Sequence, residues 1–241
     1  MNRFGNLFPI LFFLVAIAHM VGILIPDKQL VFLTKPALMP VLVVFMLVSM
    51  WPKFTVFSWC IVLGLVFALS GDVCLMLQAE PGLIDQPMFL FGLGSFLITH
   101  LLYMMAFIIY PSGEKGFVRV FPKTALPFLL FFIGVNYYLW NDLGEMLVPV
   151  VVYSGVITLM AITALNLSEK MDPKAFRLIF TGVLLFMFSD FVIALSRFKT
   201  DLHIPYHQVV IMVTYILAQY YIAKGAIRAN YLIPKIKESV S

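Results

Sequence analysis

The sequence predicts an all-α protein, a polytopic transmembrane helical bundle of eight spans with both termini in the cytosol. Three observations carry that expectation. Hydrophobic residues make up 62% of the 241-residue chain and charged residues 12%, with a mean hydropathy of +1.01. Soluble domains carry about 25% charged residues, and no soluble fold could hide so much apolar surface. The apolar residues fall into windows of about 20, the length that crosses a ~30 Å hydrocarbon core at about 1.5 Å per residue. Lys and Arg, finally, are distributed unevenly between alternate loops, which orients a membrane protein.

The windows run approximately over 7–25, 30–50, 54–77, 88–110, 124–140, 146–166, 175–196 and 204–227. The first has the hydrophobicity of a signal peptide, but it lacks an Ala-x-Ala-like cleavage site and seven comparable runs follow it. It therefore reads as a retained span. Short breaks rich in Pro, Gly and charge separate the runs, such as Ile25-Pro26-Asp27-Lys28 and Pro111-Ser112-Gly113-Glu114-Lys115-Gly116. They leave no room for a soluble domain, so residues 1–241 are read as a single transmembrane domain.

Twelve of the 16 Lys and Arg fall on one side: Arg3; Lys53; Lys115, Arg119 and Lys123; Lys170, Lys174 and Arg177; Lys224, Arg228, Lys235 and Lys237. The other side has Lys28, Lys35, Arg197 and Lys199, with Glu80, Asp85, Asp142 and Glu145 in its loops. The positive-inside bias places the first set, and both termini, in the cytosol. The Asn166-Leu167-Ser168 sequon then falls on the cytosolic side and should be unmodified. This topology accounts for the basic pI near 9.0, so no nucleic-acid partner is expected. The two cysteines, Cys60 and Cys74, form neither a disulfide framework nor a thiol cluster.

Ionisable residues inside hydrocarbon cost roughly 2.5–3.5 kcal/mol each on insertion scales, so each is a functional-site candidate. They are His19, Lys35, Asp72, His100, Asp190, Arg197 and His207. Asp72 and Asp190 each lie five or six residues from the outer end of a span, which puts both at one level, about 8–9 Å inside the non-cytosolic boundary. Lys35, Arg197 and His207 enter or leave spans on that same side. His100 shares a helical face with Gly92, Phe96, Tyr103 and Phe107, and the glycine would admit a close neighbour. Arg197 lies seven residues beyond Asp190 and so points the same way. A blander reading stays open beside this one: Lys35, Arg197 and His207 snorkel to the interface, and the two acids form structural ion pairs with Lys35 or Arg197. His19 has no ionisable neighbour at helical spacing and reads as a satisfied core histidine. His203 and His207 have a metal-binding spacing, but Pro205 fits only a first helical turn, which leaves His203 in the loop.

Six stretches then carry a resemblance. They are Lys35-Pro36-Ala37-Leu38-Met39-Pro40, Ser70-Gly71-Asp72-Val73-Cys74-Leu75-Met76, Phe91-Gly92 through Thr99-His100-Leu101-Leu102-Tyr103, Pro149-Val150-Val151-Val152-Tyr153, Phe188-Ser189-Asp190 through Arg197-Phe198, and Thr214-Tyr215-Ile216-Leu217-Ala218-Gln219. In order and spacing they resemble the motif series of the lysoplasmalogenase (YhhN-like) family. One departure is Phe191, where a small residue would be expected after Ser189-Asp190.

The resemblance implies hydrolysis of the vinyl ether bond of lysoplasmalogens to a fatty aldehyde and glycerophosphoethanolamine or glycerophosphocholine. Two acids in a membrane make chemical sense of it. Protonation of the vinyl ether β-carbon creates an oxocarbenium ion that water captures as a hemiacetal. The step needs a carboxylic acid still protonated near neutral pH, a state that removal from water favours. A second, ionised carboxylate can stabilise the cation and orient water, a division of labour seen in glycosidases. Asp72 and Asp190 are the expected catalytic pair, with their roles left open because close carboxylates titrate together. Lys35 and Arg197 are the candidates for the phosphate head group. His100, Tyr103, Tyr153, Tyr215 and Gln219 could orient the acids or water. No metal and no cofactor is expected. The partners are a lysophospholipid entering laterally from the bilayer and water, with homo-oligomerisation left open.

Two other classes compete. A metal-dependent, ceramidase-like lipid amidase would need His100, His203 and His207 to converge on zinc. A lipid or solute transporter could use the intramembrane charges for coupling; Ser70-Gly71-Asp72 and Ser189-Asp190 lie four spans apart, and Thr99-His100-Leu101-Leu102 is echoed by Thr214-Tyr215-Ile216-Leu217, which hints at two parallel halves. The expected membrane is the endoplasmic reticulum for a eukaryotic source and the inner membrane for a bacterial one.

Overall fold

The computed structural model describes residues 7–78 and 85–240, with side chains over 7–78 and 87–233. Arg3 and Glu80, which entered the charge count above, lie outside the described residues, as do the side chains of Asp85, Lys235 and Lys237. The order is α1 (Leu7–Leu24), α2 (Lys28–Met50), α3 (Val56–Gln78), α4 (Asp85–Ile109), α5 (Phe117–Val120), α6 (Leu126–Leu139), α7 (Leu147–Leu165), α8 (Pro173–Phe198) and α9 (His207–Val240). Short 3-10 turns, Pro122–Ala125 and Gly144–Met146, lead into α6 and α7.

Seven helices among the described residues are long and apolar enough to cross a membrane: α1 to α4 and α7 to α9. The segment expected at 124–140 forms α6, which has 14 residues and rises about 21 Å at 1.5 Å per residue. Prolines set its start, Pro122 opening the 3-10 turn and Pro127 falling in the first turn of α6, positions where a missing N–H costs no helical hydrogen bond. The last expected span begins at His207 rather than 204, because Pro205 and Tyr206 form a turn in which Tyr206 takes a φ of 53°, outside helical geometry. Asp27 and Asp172 cap α2 and α8, accepting from Leu30 N and from Lys174 N and Ala175 N.

Polar contacts tie the loops into two ends. At one, Asn230 donates to the Lys53 carbonyl at 2.7 Å and accepts from Thr55 at 2.7 Å. Asn166 accepts from Val118 N at 3.0 Å and Arg119 N at 3.3 Å, and Asp172 pairs with Arg228 at 2.5 Å. At the other, Asp142 pairs with Lys199 at 2.6 Å and Arg197 lies over the Phe89 ring, 5.0 Å from its centroid. The first group holds loops assigned to the cytosol, the second loops assigned to the opposite side.

The most extensive helix contacts are α3 with α4 and α8 with α9. Both rest on glycine. A Cβ at Gly64 would stand 2.3 Å from the Tyr103 ring, and one at Gly182 2.7 Å from the Ala218 carbonyl. Without hydrophobic drive between helices in lipid, such small residues bring backbones into van der Waals range. The two glycines hold the acid-bearing helices α3 and α8 against α4 and α9.

Candidate active site

Asp72 and Asp190 each stand eight residues after one of these glycines, two turns along the same face. The structure gives each acid a phenol. Tyr215 in α9 donates to Asp72 Oδ2 at 2.7 Å, and Tyr153 in α7 donates to Asp190 Oδ2 at 2.6 Å. His100, wholly buried in α4, brings Nε2 to 3.6 Å from Asp190 Oδ2. That is too long for a hydrogen bond, and neither ring nitrogen has a partner among the described residues. Lys35 in α2 is near enough to interact electrostatically with Asp72.

The contacts are arranged crosswise. Asp72 of α3 is bonded by Tyr215 from the distant α9 and lies in electrostatic reach of Lys35 in α2; Asp190 of α8 is bonded by Tyr153 from α7 and approached by His100 from the distant α4. Lys35 and Asp72 are 37 residues apart, as are Tyr153 and Asp190. The contact of Gly71 with Phe96 is likewise matched by Ser189, whose hydroxyl donates to the Ile211 carbonyl at 3.2 Å. The sequence echo between the two halves thus corresponds to two acid half-sites that exchange their fourth helix.

Aromatic rings link the half-sites. Phe186 packs edge-on against His100 at 4.7 Å and against Tyr215 at 5.5 Å, and Phe96 meets Phe186 at 6.1 Å and Tyr215 at 5.8 Å. Phe186 lies one turn before Asp190 on the same face, but aromatics are so common in membrane helices that nothing singled it out in the sequence.

The half-sites differ in access. Asp72 is 3% exposed, and the Tyr215 phenol bonded to it has Gln219 and Tyr103 as neighbours; Tyr103 donates to Gln219 Oε1 at 2.7 Å. Asp190 instead lines two cavities of ≈ 50 Å³ each. The first, between α3, α4, α7 and α8, is bounded by Leu75, Phe89, Phe96, Tyr153 and Phe198. The second, between α6, α7 and α8, is bounded by Phe132, Val135, Tyr153, Met187 and Phe191. Each has room for about four water-sized groups.

The expected site residues therefore separate into groups. Asp190, Tyr153 and His100 cluster at the cavities. Asp72, Tyr215, Tyr103 and Gln219 form a buried polar cluster, with the half-buried Lys35 in electrostatic reach of Asp72. Arg197 is exposed at the outer end and stacks on Phe89, a wall of the first cavity. Gly92 admits Leu75 of α3, 2.9 Å from a Cβ built there. His19 binds Thr34 Oγ1 at 3.0 Å, and Nε2 has no partner among the described residues. His203 is exposed in the loop while His100 is wholly buried, and no three His, Cys, Asp or Glu converge into a metal-binding set among the described residues.

Comparison with known proteins follows this geometry. The YhhN family profile matches residues 30–226, which includes all nine residues expected at the site, from Lys35 to Gln219, but not His19. Over 173 residues the chain is 34% identical to lysoplasmalogenase TMEM86A of Bos taurus and 30% identical to that of Homo sapiens, covering 70% of this chain and 66% of each relative. Over 175 residues it is 27% identical to lysoplasmalogenase TMEM86B of Rattus norvegicus, covering 72% of this chain and 64% of the relative. The chain thus spans slightly less than two thirds of these relatives. No solved structure matches it. With its acids, tyrosines and histidine all inside the matched stretch, the chain belongs to the YhhN family.

Proposed function

We propose that this protein hydrolyses the vinyl ether bond of lysoplasmalogens, releasing a fatty aldehyde and a glycerophospho-alcohol, by carboxyl acid/base catalysis. The observation that carries the reading is Asp190: an acid inside the bundle, fixed by Tyr153, facing two apolar cavities. Similarity to relatives named lysoplasmalogenase supports the same substrate class.

In this mechanism Asp190 transfers its proton to the β-carbon of the vinyl ether. The C=C electron pair forms the new C–H bond and the ether oxygen stabilises the α-carbon cation. Tyr153 occupies Oδ2, which leaves Oδ1, unbonded among the described residues, to carry that proton. Water then adds to the α-carbon, losing a proton to the Asp190 carboxylate, and the hemiacetal collapses to aldehyde and the glycerol hydroxyl. Asp72, in electrostatic reach of the Lys35 cation and lining neither cavity, acts at longer range as the negative counter-charge to the oxocarbenium ion. In a low-dielectric interior such charges are felt beyond contact distance. Arg197 sits two turns outward from Asp190 and would meet the phosphate.

We further infer eight crossings with cytosolic termini. Supporting this, the stretch before α6 bonds Asn166 at one end of the bundle while Asp142, just after α6, bonds Lys199 at the other. The membrane would be the endoplasmic reticulum or, for a bacterium, the inner membrane.

The test supplies purified protein in detergent with alkenyl, alkyl-ether and acyl lysophospholipids of matched chain. Aldehyde is expected from the alkenyl lipid alone. Fatty acid release from the acyl lipid, with no aldehyde from the alkenyl one, would replace this reading with an esterase.

A further inference from the structure

Resting on that reading, we propose that the cavity between α6, α7 and α8 receives the first carbons of the alkenyl chain, and that Phe131 and Phe191 form the door through which the rest of the chain reaches the bilayer. Position along the membrane normal is the first argument. Arg197 lies seven residues outward of Asp190 on α8, about 10 Å away at 1.5 Å per residue. On α7 the cavity lining runs from Val150, one turn outward, past Tyr153 and inward to Ile157 and Thr158, where its deeper lobe lies. Cation, acid and apolar lobe are therefore stacked in the order of head group, glycerol-linked bond and chain that a lipid of the outer leaflet presents.

Size is the second. A volume of ≈ 50 Å³ accepts about four water-sized groups, so a fatty chain cannot fit whole. It must leave, and the side toward lipid is the only direction in which apolar chain avoids water. There α6 is short and touches α8 at few points. The pair that closes the gap is Phe131 against Phe191, edge to face at 5.4 Å between centroids. Both rings also line the cavity, and Phe131 is 37% exposed, beside Leu130 and Ile133 at 59% each. Rings in an edge contact can swing apart without unpacking a helix, as a door requires.

Two alkenyl lysolipids test this, one whose chain ends within the lobe and one of membrane length. Phe191→Trp narrows the door and should lower kcat/KM for the long substrate relative to the short one by about 10-fold, the low end of discrimination in apolar pockets. Phe191→Ala should shift the ratio the other way, and Phe131→Ala should do the same should Phe191→Ala fail to fold. A wild-type long-to-short ratio in every folded variant would overturn the door. The complementary measurement needs no turnover. A lysophospholipid with a photoreactive group midway along its chain should label α6 and the Phe191 region of α8 in wild-type protein, and less so in Phe191→Trp; labelling elsewhere rejects the proposal. Absence of aldehyde from both lysolipids with wild-type protein would reject the vinyl ether reading instead, and the labelling result would still decide the door.

Discussion

Tyr153 donates a 2.6 Å hydrogen bond to Asp190 across the α7–α8 contact, and this ties down one of its two carboxyl oxygens. Oδ2 is held by the phenol and has His100 at 3.6 Å, which leaves Oδ1 as the oxygen bonded by neither. The matching bond from Tyr215 to Asp72 is nearly as short, at 2.7 Å, yet Asp72 lines neither cavity. The two acids share a bonding pattern and differ in what they can touch.

The first prediction separates the group that reacts from the group that aims it. Asp190→Asn should lower kcat at least about 100-fold, the scale of a positioned general acid. Tyr153→Phe removes only an ordinary hydrogen bond of about 0.5–1.5 kcal/mol, about 2- to 12-fold in kcat. Equal losses in the two variants would mean that Tyr153 itself takes part in proton transfer.

Much of this was legible before the fold, and the reasons are physical. Hydropathy located the seven long helices and α6, but not the four-residue α5 or the continuation of α9 to Val240; composition reports the apolar run, while Pro122 and Pro127 decide where the regular helix of α6 begins. The expectations that Asp190 and Arg197 share a face and that both acids lie at one depth rest on helical spacing alone. Pairing across the bundle was not legible. Nothing in the spacing of Tyr153 or Tyr215 says which acid each serves, since α7 and α9 meet their partners only through tertiary packing. Lys35 was grouped with Arg197 because both are cations on one side; its electrostatic reach to Asp72 also allows it to be grouped with that acid, the ion-pair alternative left open in the sequence.

That regrouping yields the second prediction. If Lys35 serves Asp72 as a charge partner rather than gripping phosphate, Lys35→Met should reduce kcat and alter its pH profile with little change in KM. Lys35→Arg should restore much of the loss. A rise in KM alone would return Lys35 to the head group.

A third prediction concerns stability at the opposite end of the bundle. Asp172 caps α8 and pairs with Arg228, whose hydrogen bond holds the Asp172 carboxyl down at about 2, against a modest upward push from burial and aided by the Ala175 amide, the Arg228 charge and the Lys174 amide. A group lowered on folding stabilises the fold above its unfolded value, 3.8, and loses that contribution as pH falls from there toward 2. Asp172→Ala should cost about 1 kcal/mol of cap energy, visible as a lower thermal midpoint in detergent at pH 7. The difference from wild type should shrink between about pH 4 and pH 2. A constant difference across that range would assign the loss to something other than the charged cap.

The last prediction concerns the head group. Arg197 is exposed at the outer end, anchored by its stack on Phe89, which also lines the first cavity. A phosphate gripped there is held equally in substrate and transition state, so losing it should weaken binding more than chemistry. Arg197→Ala should raise KM about 10- to 150-fold, as a charge-assisted contact of roughly 1.5–3 kcal/mol implies, with kcat changed much less. Arg197→Lys should recover only part, because an ammonium is a point charge without the guanidinium's planar fork and stacks less well on a ring. Phe89→Leu, which removes the ring but no charge, should reproduce a smaller share of the KM rise by freeing the guanidinium. If Arg197 instead tunes Asp190 from two turns away, kcat and its pH dependence would move while KM held steady. The Phe89 variant would then follow kcat too, which would sink the phosphate assignment and leave the acid chemistry of Asp190 standing.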